Sequence, residues 1–157
     1  MGSPHTPAAY SAWVSQVGPR WGSQWRLGFG PTPAAQWGAT IFGTRWTDYW
    51  ATGDQPTPDQ WVHTAGVFDQ TLGELHLYLG GHEVQTFHGL GPWGSSPGPL
   101  LIGAQRDDGV FFSGDVADVR LYKRALNANE VKALADMDSS AVPVCGSAST
   151  PAPAANR

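Results

Sequence analysis

Hydrophobic and polar residues alternate along most of the chain, in short runs separated by glycine and proline. A period of two residues is typical of strands that bury one face, and frequent turn formers favour antiparallel connections. Gly80 and Gly81 interrupt one such run and predict a tight hairpin, because both positions tolerate a positive φ. The pattern therefore predicts an all-β antiparallel sandwich. Its predicted strands lie near residues 10–17, 25–29, 36–42, 44–51, 61–69, 75–79, 83–87, 100–104 and 111–122.

The periodicity changes after residue 126, where a short C-terminal helix is predicted. Asn127 is a suitable N-cap, and Glu130, three residues later, completes a capping box. Val131 and Leu134 then fall on one helical face. Beyond residue 138 the chain is rich in Ser, Ala and Pro and nearly uncharged, which is typical of a tail or linker. The expected organisation is a disordered lead or expression scar at 1–9, a sandwich at 10–138, and a tail at 139–157.

The composition excludes several classes of function. The 157 residues suffice for one domain with its own core. A net charge of −4 with 14% charged residues gives no basic surface for nucleic acid. No apolar run approaches the roughly 20 residues of a membrane span. The first ten residues lack the apolar core of a signal peptide, and the single cysteine cannot form an internal disulfide.

Five short phrases occur in a characteristic order over about half of the chain. They are Trp61-Val-His63-Thr-Ala65, Leu77-Tyr78-Leu79-Gly80-Gly81, Leu101-Ile102-Gly103, Phe112-Ser-Gly114-Asp115-Val116 through Val119-Arg120-Leu121-Tyr122, and Arg124-Ala125-Leu126 through Glu130-Val131. Together they resemble the laminin-G-like, or concanavalin A-like, jelly-roll modules. The resemblance implies two sheets with a concave and a convex face, extracellular or cell-surface use, and a role in binding, often beside a glycoside-active domain. It also implies that Trp61 and Ala65 face the core and that the final helix covers an edge of the sandwich.

The chain departs from the family pattern in two places. Only about a dozen residues precede the segment that begins at Trp13, so we expect the jelly roll to lack one or two N-terminal strands. Ala117 stands where relatives often carry the first Asp of a pair, and Asp118 remains. Because some relatives bind a structural calcium there, we expect any calcium to bind weakly, through Asp107, Asp108 or Asp118. The alternative for Asp107 and Asp108 is an ordinary Asp-Gly turn, which we favour.

Aromatic residues provide the candidate ligand site. Trp46 and Trp50 share strand parity, and Trp93 lies in another Gly/Pro-rich loop. Aromatic rings stack on the apolar faces of sugars, so the three would form a platform on the concave face, with Arg45 or Arg106 donating hydrogen bonds to hydroxyl groups. The alternative is that both Trp46 and Trp50 point inward and fill the core.

Residues with catalytic or metal-binding chemistry are sparse. His76 and His88 flank the predicted hairpin and are expected on one face, but two imidazoles do not make a zinc site, so we interpret them as solvent-face histidines. Glu74 and Glu83 are expected near the turn, not across a cleft as glycoside hydrolysis requires. The sequence thus predicts a non-enzymatic, secreted binding module for a carbohydrate or glycoprotein ligand. Two alternatives remain open: a structural spacer that packs against a neighbouring catalytic domain, and a fragment of a glycoside-active enzyme.

Overall fold

The computed structural model describes residues 11–17, 23–29, 36–42, 48–55, 57, 60–91, 98–104 and 111–141. The described strands form two antiparallel sheets, as the alternation predicted. The five-stranded sheet contains β1 (Ser11–Val17), β2 (Ser23–Phe29), β3 (Trp37–Phe42), β4 (Asp48–Thr52) and β8 (Leu100–Ile102), in the order β4-β3-β2-β1-β8. The three-stranded sheet is a meander of β5 (Thr64–Asp69), β6 (Glu74–Leu79) and β7 (His82–Phe87).

The hairpin between β6 and β7 turns at the glycine pair. Gly80 and Gly81 have φ of 56° and 80°, a region that residues with a side chain rarely adopt. Gly80 N–H also donates to the carbonyl of His63, at 2.8 Å, which ties this turn to the segment leading into β5. The prediction of a Gly-Gly hairpin is confirmed.

The core lies between the two sheets. Leu75 and Leu77 of β6 are 2% and 0% exposed and pack with Ala39 of β3 and Ala51 of β4. Small side chains on the five-stranded sheet let the leucines of the other sheet approach closely. A Cβ added to Gly66 of β5 would lie 3.0 Å from the Cβ of Ala39, so the sheets leave no spare room there.

The C-terminal helix, α1 (Ala128–Ala141), begins with the predicted capping box. Glu130 N–H donates to Asn127 Oδ1 at 3.0 Å, and Asn127 N–H donates to Glu130 Oε2 at 2.9 Å. Fully buried Val131 packs on Val67 and Tyr78, so the helix covers the outer face of the three-stranded sheet. The helix lies nearest β7, the strand at one edge of that sheet, so it covers this face close to the predicted edge. No helix among the described residues is both long and apolar enough to cross a membrane.

The predicted strand at 111–122 is not formed. Within this described segment, Phe111 makes one isolated bridge with Ala104 and no ladder follows. The segment instead packs through side chains: the ring of Phe112 meets Trp13 edge-on, with centroids 5.7 Å apart, and Val116 and Val119 pack on the same cluster. The packed residues do not all share one parity, so this segment buries side chains without the alternation and backbone pairing of a strand.

Trp61 also differs from expectation. It was predicted to face the core, but it is 55% exposed. The physical reason is that β5 begins only at Thr64, so residue 61 precedes the sheet and receives no cover from a facing strand. Ala65, the last residue of the same family phrase, is partly buried against Val67 and Tyr78 on the helix side.

Candidate functional site

The face of the five-stranded sheet that points away from the core carries a polar rung. Leu27 of β2 packs on the core, so its neighbour Arg26 belongs to the opposite face. Backbone register pairs Arg26 with Ser15 of β1 on one side and with Thr40 of β3 on the other. Thr40 in turn pairs with Trp50 of β4. We call this row of four residues the outer rung.

Arg26 is an unusual member of such a rung because it is only 2% exposed. A guanidinium removed from water costs several kcal/mol unless nearby groups compensate it, so it is rarely buried by chance. Ser15 is also fully buried, and its hydroxyl donates to the carbonyl of Ala104 at 2.9 Å. The outer rung thus contains a buried positive charge, on Arg26, and a hydrogen-bonded hydroxyl, on Ser15.

The neighbouring rung on the same face is built from small residues. Register pairs Ala12 with Gly28, and Gly28 with Gly38. All three are buried. A row without bulky side chains allows close packing on the sheet beside Arg26.

The predicted ligand residues are only partly described. Trp50 lies in β4 and its backbone belongs to the outer rung, while its side chain is outside the described part. Trp46, Trp93, Arg45 and Arg106 lie outside the described residues. Sequence reasoning missed Arg26, although one signal was available: it is a charged residue of opposite strand parity to Trp25 and Leu27.

Of the three predicted metal ligands, Asp107 and Asp108 also lie outside the described residues. Asp118 is exposed and has a φ of 49°, in the left-handed region that Asp tolerates better than most residues. Its carboxylate accepts Arg120 Nε at 2.9 Å on Oδ1 and Arg120 Nη2 on Oδ2. A calcium ion at Asp118 would therefore compete with this guanidinium, and calcium binding stays a prediction. No three His, Cys, Asp or Glu side chains in the described part are grouped so as to hold a metal ion.

The outer face of the three-stranded sheet carries a second polar feature, which we call the His76 row. Its members, in spatial order, are Tyr78, Glu83, Thr86, His76, Glu74 and His88. His76 Nε2 lies 3.3 Å from one oxygen of Glu74, and His88 Nδ1 lies 2.8 Å from the other. The prediction that the two histidines share a face is confirmed, since they contact one carboxylate.

Two members of the His76 row have shifted pKa values. Burial, together with the adjacent Glu83 carboxylate, raises the pKa of Tyr78 to about 12. The hydrogen bond donated by Thr86 lowers the pKa of Glu83, and the hydrogen bond from the Tyr78 hydroxyl acts in the same direction. Both shifts favour a neutral phenol that donates to an ionised carboxylate.

Comparisons with known proteins agree with the fold. The family model described as the concanavalin A-like lectin/glucanases superfamily, Laminin_G_3, matches residues 3–132. No curated protein matches the chain. A crystal structure of an S-layer domain-containing protein from Clostridium thermocellum is similar at a TM-score of 0.42 and 19% identity, over 86% of this chain and 66% of that one. This structural likeness is too distant to bear on function.

Proposed function

Because the chain belongs to the concanavalin A-like lectin/glucanase superfamily, we propose that it is a non-catalytic binding module for a carbohydrate or another cell-surface ligand. It would act outside the cell or at the cell surface, as one part of a larger secreted protein. The ligand would bind on the outer face of the five-stranded sheet, away from the core and away from the helix.

One observation carries this proposal, namely the register that assigns Trp50 to the same rung as Arg26 and Ser15. Sugars present apolar ring faces and hydroxyl oxygens together, which a tryptophan and a positive charge on one sheet face, two strands apart, would complement. Arg26 would act from below the surface, through the field of its charge, which little water screens. In this proposal Trp46 and Trp93 extend the stacking surface, while Arg45 or Arg106 donates hydrogen bonds at its rim.

The carboxylates of the His76 row support a non-catalytic function. Glycoside hydrolysis needs one carboxyl group with a raised pKa as general acid and a second facing it across the substrate. Glu83 has a lowered pKa, because Thr86 and Tyr78 donate hydrogen bonds to it. Glu74 is held between His76 and His88. Glu83 is therefore not suited to donate a proton, which argues against the fragment of a glycoside-active enzyme.

The test is glycan binding by the whole chain, first on an array and then by titration of the best ligand. Trp50→Ala should weaken binding at least about tenfold, equivalent to about 1.4 kcal/mol. Trp61→Ala is the matched control, because Trp61 is an exposed tryptophan that precedes the other sheet. Equal binding by folded Trp50→Ala and Trp61→Ala proteins would contradict the site.

The alternative of a structural spacer is favoured by a different observation. Apolar side chains are exposed at the β8 edge and along the segment that follows: Leu100, Ile102, Phe111, Leu121 and Tyr122. An apolar area of this kind suits permanent packing against a neighbouring domain, such as a catalytic one. Absence of glycan binding, together with tight association with an adjacent domain of its parent protein, would favour the spacer over the binding module.

A further inference from the structure

Residues 112–126, which we call the strap, connect the two sheets through side-chain contacts. Five apolar side chains of the strap are partly buried: Phe112, Val116, Val119, Ala125 and Leu126. The first three pack on Trp13 and Val14 of β1, and the last two pack on Val67 of β5 and on the helix. The strap therefore leads from the inner side of the five-stranded sheet to the outer face of the three-stranded sheet.

The strap covers a part of the five-stranded sheet that the other sheet does not cover. The three-stranded sheet lies mainly over β2, β3 and β4. Val14 of β1 pairs with Leu27 of β2 and with Ile102 of β8, so all three belong to the face that carries the core. Val14, under the strap, is 6% exposed, whereas Ile102 is 57% exposed. Without the strap, Val14 and Ile102 would form one continuous apolar surface.

The strap is held less firmly than the sheets that it connects. Its backbone joins no strand ladder from residue 113 to residue 122 within the described part of the chain. Its packed side chains are only partly buried, whereas Leu77 and Val131 in the sheet and the helix are fully buried. Arg124 forms two hydrogen bonds of 2.8 Å with Glu130, but this ion pair lies at the surface and contributes little. Segments with few buried contacts and an exposed backbone open at a lower free energy than the core does.

We infer that the strap opens while both sheets stay folded, and that its opening gives access to the inner face of β1. Opening separates five partly buried side chains from their neighbours, but it breaks no ladder of either sheet. The strand pairs of β1 with β2 and with β8 form without the strap. The contact of Val131 with Val67 and Tyr78 keeps the helix on the three-stranded sheet.

The two lysines of the chain provide a test, because Lys123 lies in the strap and Lys132 lies in α1. Both are exposed. A protease that cleaves only after lysine needs its substrate detached and extended. It should therefore cut the folded full chain after Lys123 at least about tenfold faster than after Lys132. Equal initial rates, or a faster cut after Lys132, would overturn the inference.

Two neighbouring phenylalanines provide matched variants for the same assay. The ring of Phe112 meets Trp13 edge-on, whereas Phe111 is 67% exposed. Phe112→Ala should speed the cut after Lys123 at least about fivefold and change the cut after Lys132 by less than about twofold, whereas Phe111→Ala should alter neither rate. Equal acceleration at both lysines in Phe112→Ala would count against the inference, because the ring would then support the whole fold. An unchanged rate after Lys123 would also count against it.

Thiol labelling measures access to the inner face of β1. The single cysteine is first removed by Cys145→Ser. Val14→Cys and Val67→Cys then place a thiol at two valines of similar exposure, 6% and 7%, the first under the strap and the second under α1. An uncharged alkylating reagent should react with the folded Val14→Cys chain at least about tenfold faster than with the Val67→Cys chain. Equal rates would show that Val14 is reached only when the whole domain unfolds, which would overturn the inference.

Discussion

Replacing Leu77 with Ala tests whether the two sheets are packed as described. Leu77 is fully buried on β6, between Leu75 on its own strand and the small residues Ala39 and Ala51 on the facing sheet. The substitution removes about three buried carbon groups, each worth roughly 0.8 kcal/mol of transfer free energy. The transfer contribution to the loss of stability is therefore about 2.4 kcal/mol.

A cavity contribution adds to this loss. The facing alanines cannot extend into the space that the leucine vacates, and the strand backbones are fixed by their ladders. Leu→Ala changes in cores cost about 2–5 kcal/mol, with the larger losses where the site cannot collapse. We expect Leu77→Ala to lower the free energy of unfolding by about 3–4 kcal/mol.

Urea titration followed by tryptophan fluorescence would measure the change, with Leu72→Ala as the control. Leu72 lies in the turn between β5 and β6 and is 65% exposed, so its truncation should change stability by less than about 0.5 kcal/mol. A loss below about 1 kcal/mol for Leu77→Ala, or equal losses for the two variants, would refute the reasoning.

Three further predictions concern the helix, a tyrosine and calcium. Asn127→Ala should lower the free energy of unfolding by about 1 kcal/mol, because it removes the side-chain acceptor of the capping box. Asn127→Asp keeps an acceptor and should retain most of that stability. Thermal unfolding of both variants distinguishes the loss of the cap from a general surface effect. The raised pKa of Tyr78 means that the folded chain holds the phenol proton more tightly than the unfolded chain does. The contribution of this proton to stability should be complete below pH 10 and lost as pH rises from 10 to about 12. Phenolate absorbance during a pH titration, compared with that of Tyr78→Phe, measures the pKa. If calcium binds through Asp107, Asp108 or Asp118, the unfolding midpoint should rise with calcium relative to chelator, and identical midpoints would show that no such site exists.

The sequence by itself determined the features whose causes are local. A period of two residues predicts one buried face, and β6 has one, since its Leu75 and Leu77 are buried. Gly80 and Gly81 form the turn because their positive φ excludes most other residues. Asn127 and Glu130 begin the helix because each satisfies the other's backbone N–H. These outcomes need only neighbours within a few positions.

The tertiary structure alone decided which alternating segments became strands. The sequence predicts a strand at 111–122, yet residues of this segment pack on Trp13 and Val14 without joining a ladder. Trp61 matches a family phrase and is nevertheless exposed, because the strand begins later. A strand requires a partner edge at the right distance, and the availability of that edge is a property of the whole sheet.

The two polar sites depended on register even more strongly. Ser15, Arg26 and Trp50 are distant in sequence and share a rung only because three strand pairs align them. His76 and His88 could be assigned to one face from alternation, but the carboxylate of Glu74 between them and the hydroxyl of Thr86 beside them follow from how β6 meets β7. Alternation is a local property that fixes the face on which a residue lies. Its neighbours on that face are set by pairing between strands, because a shift of one residue in register would exchange them all.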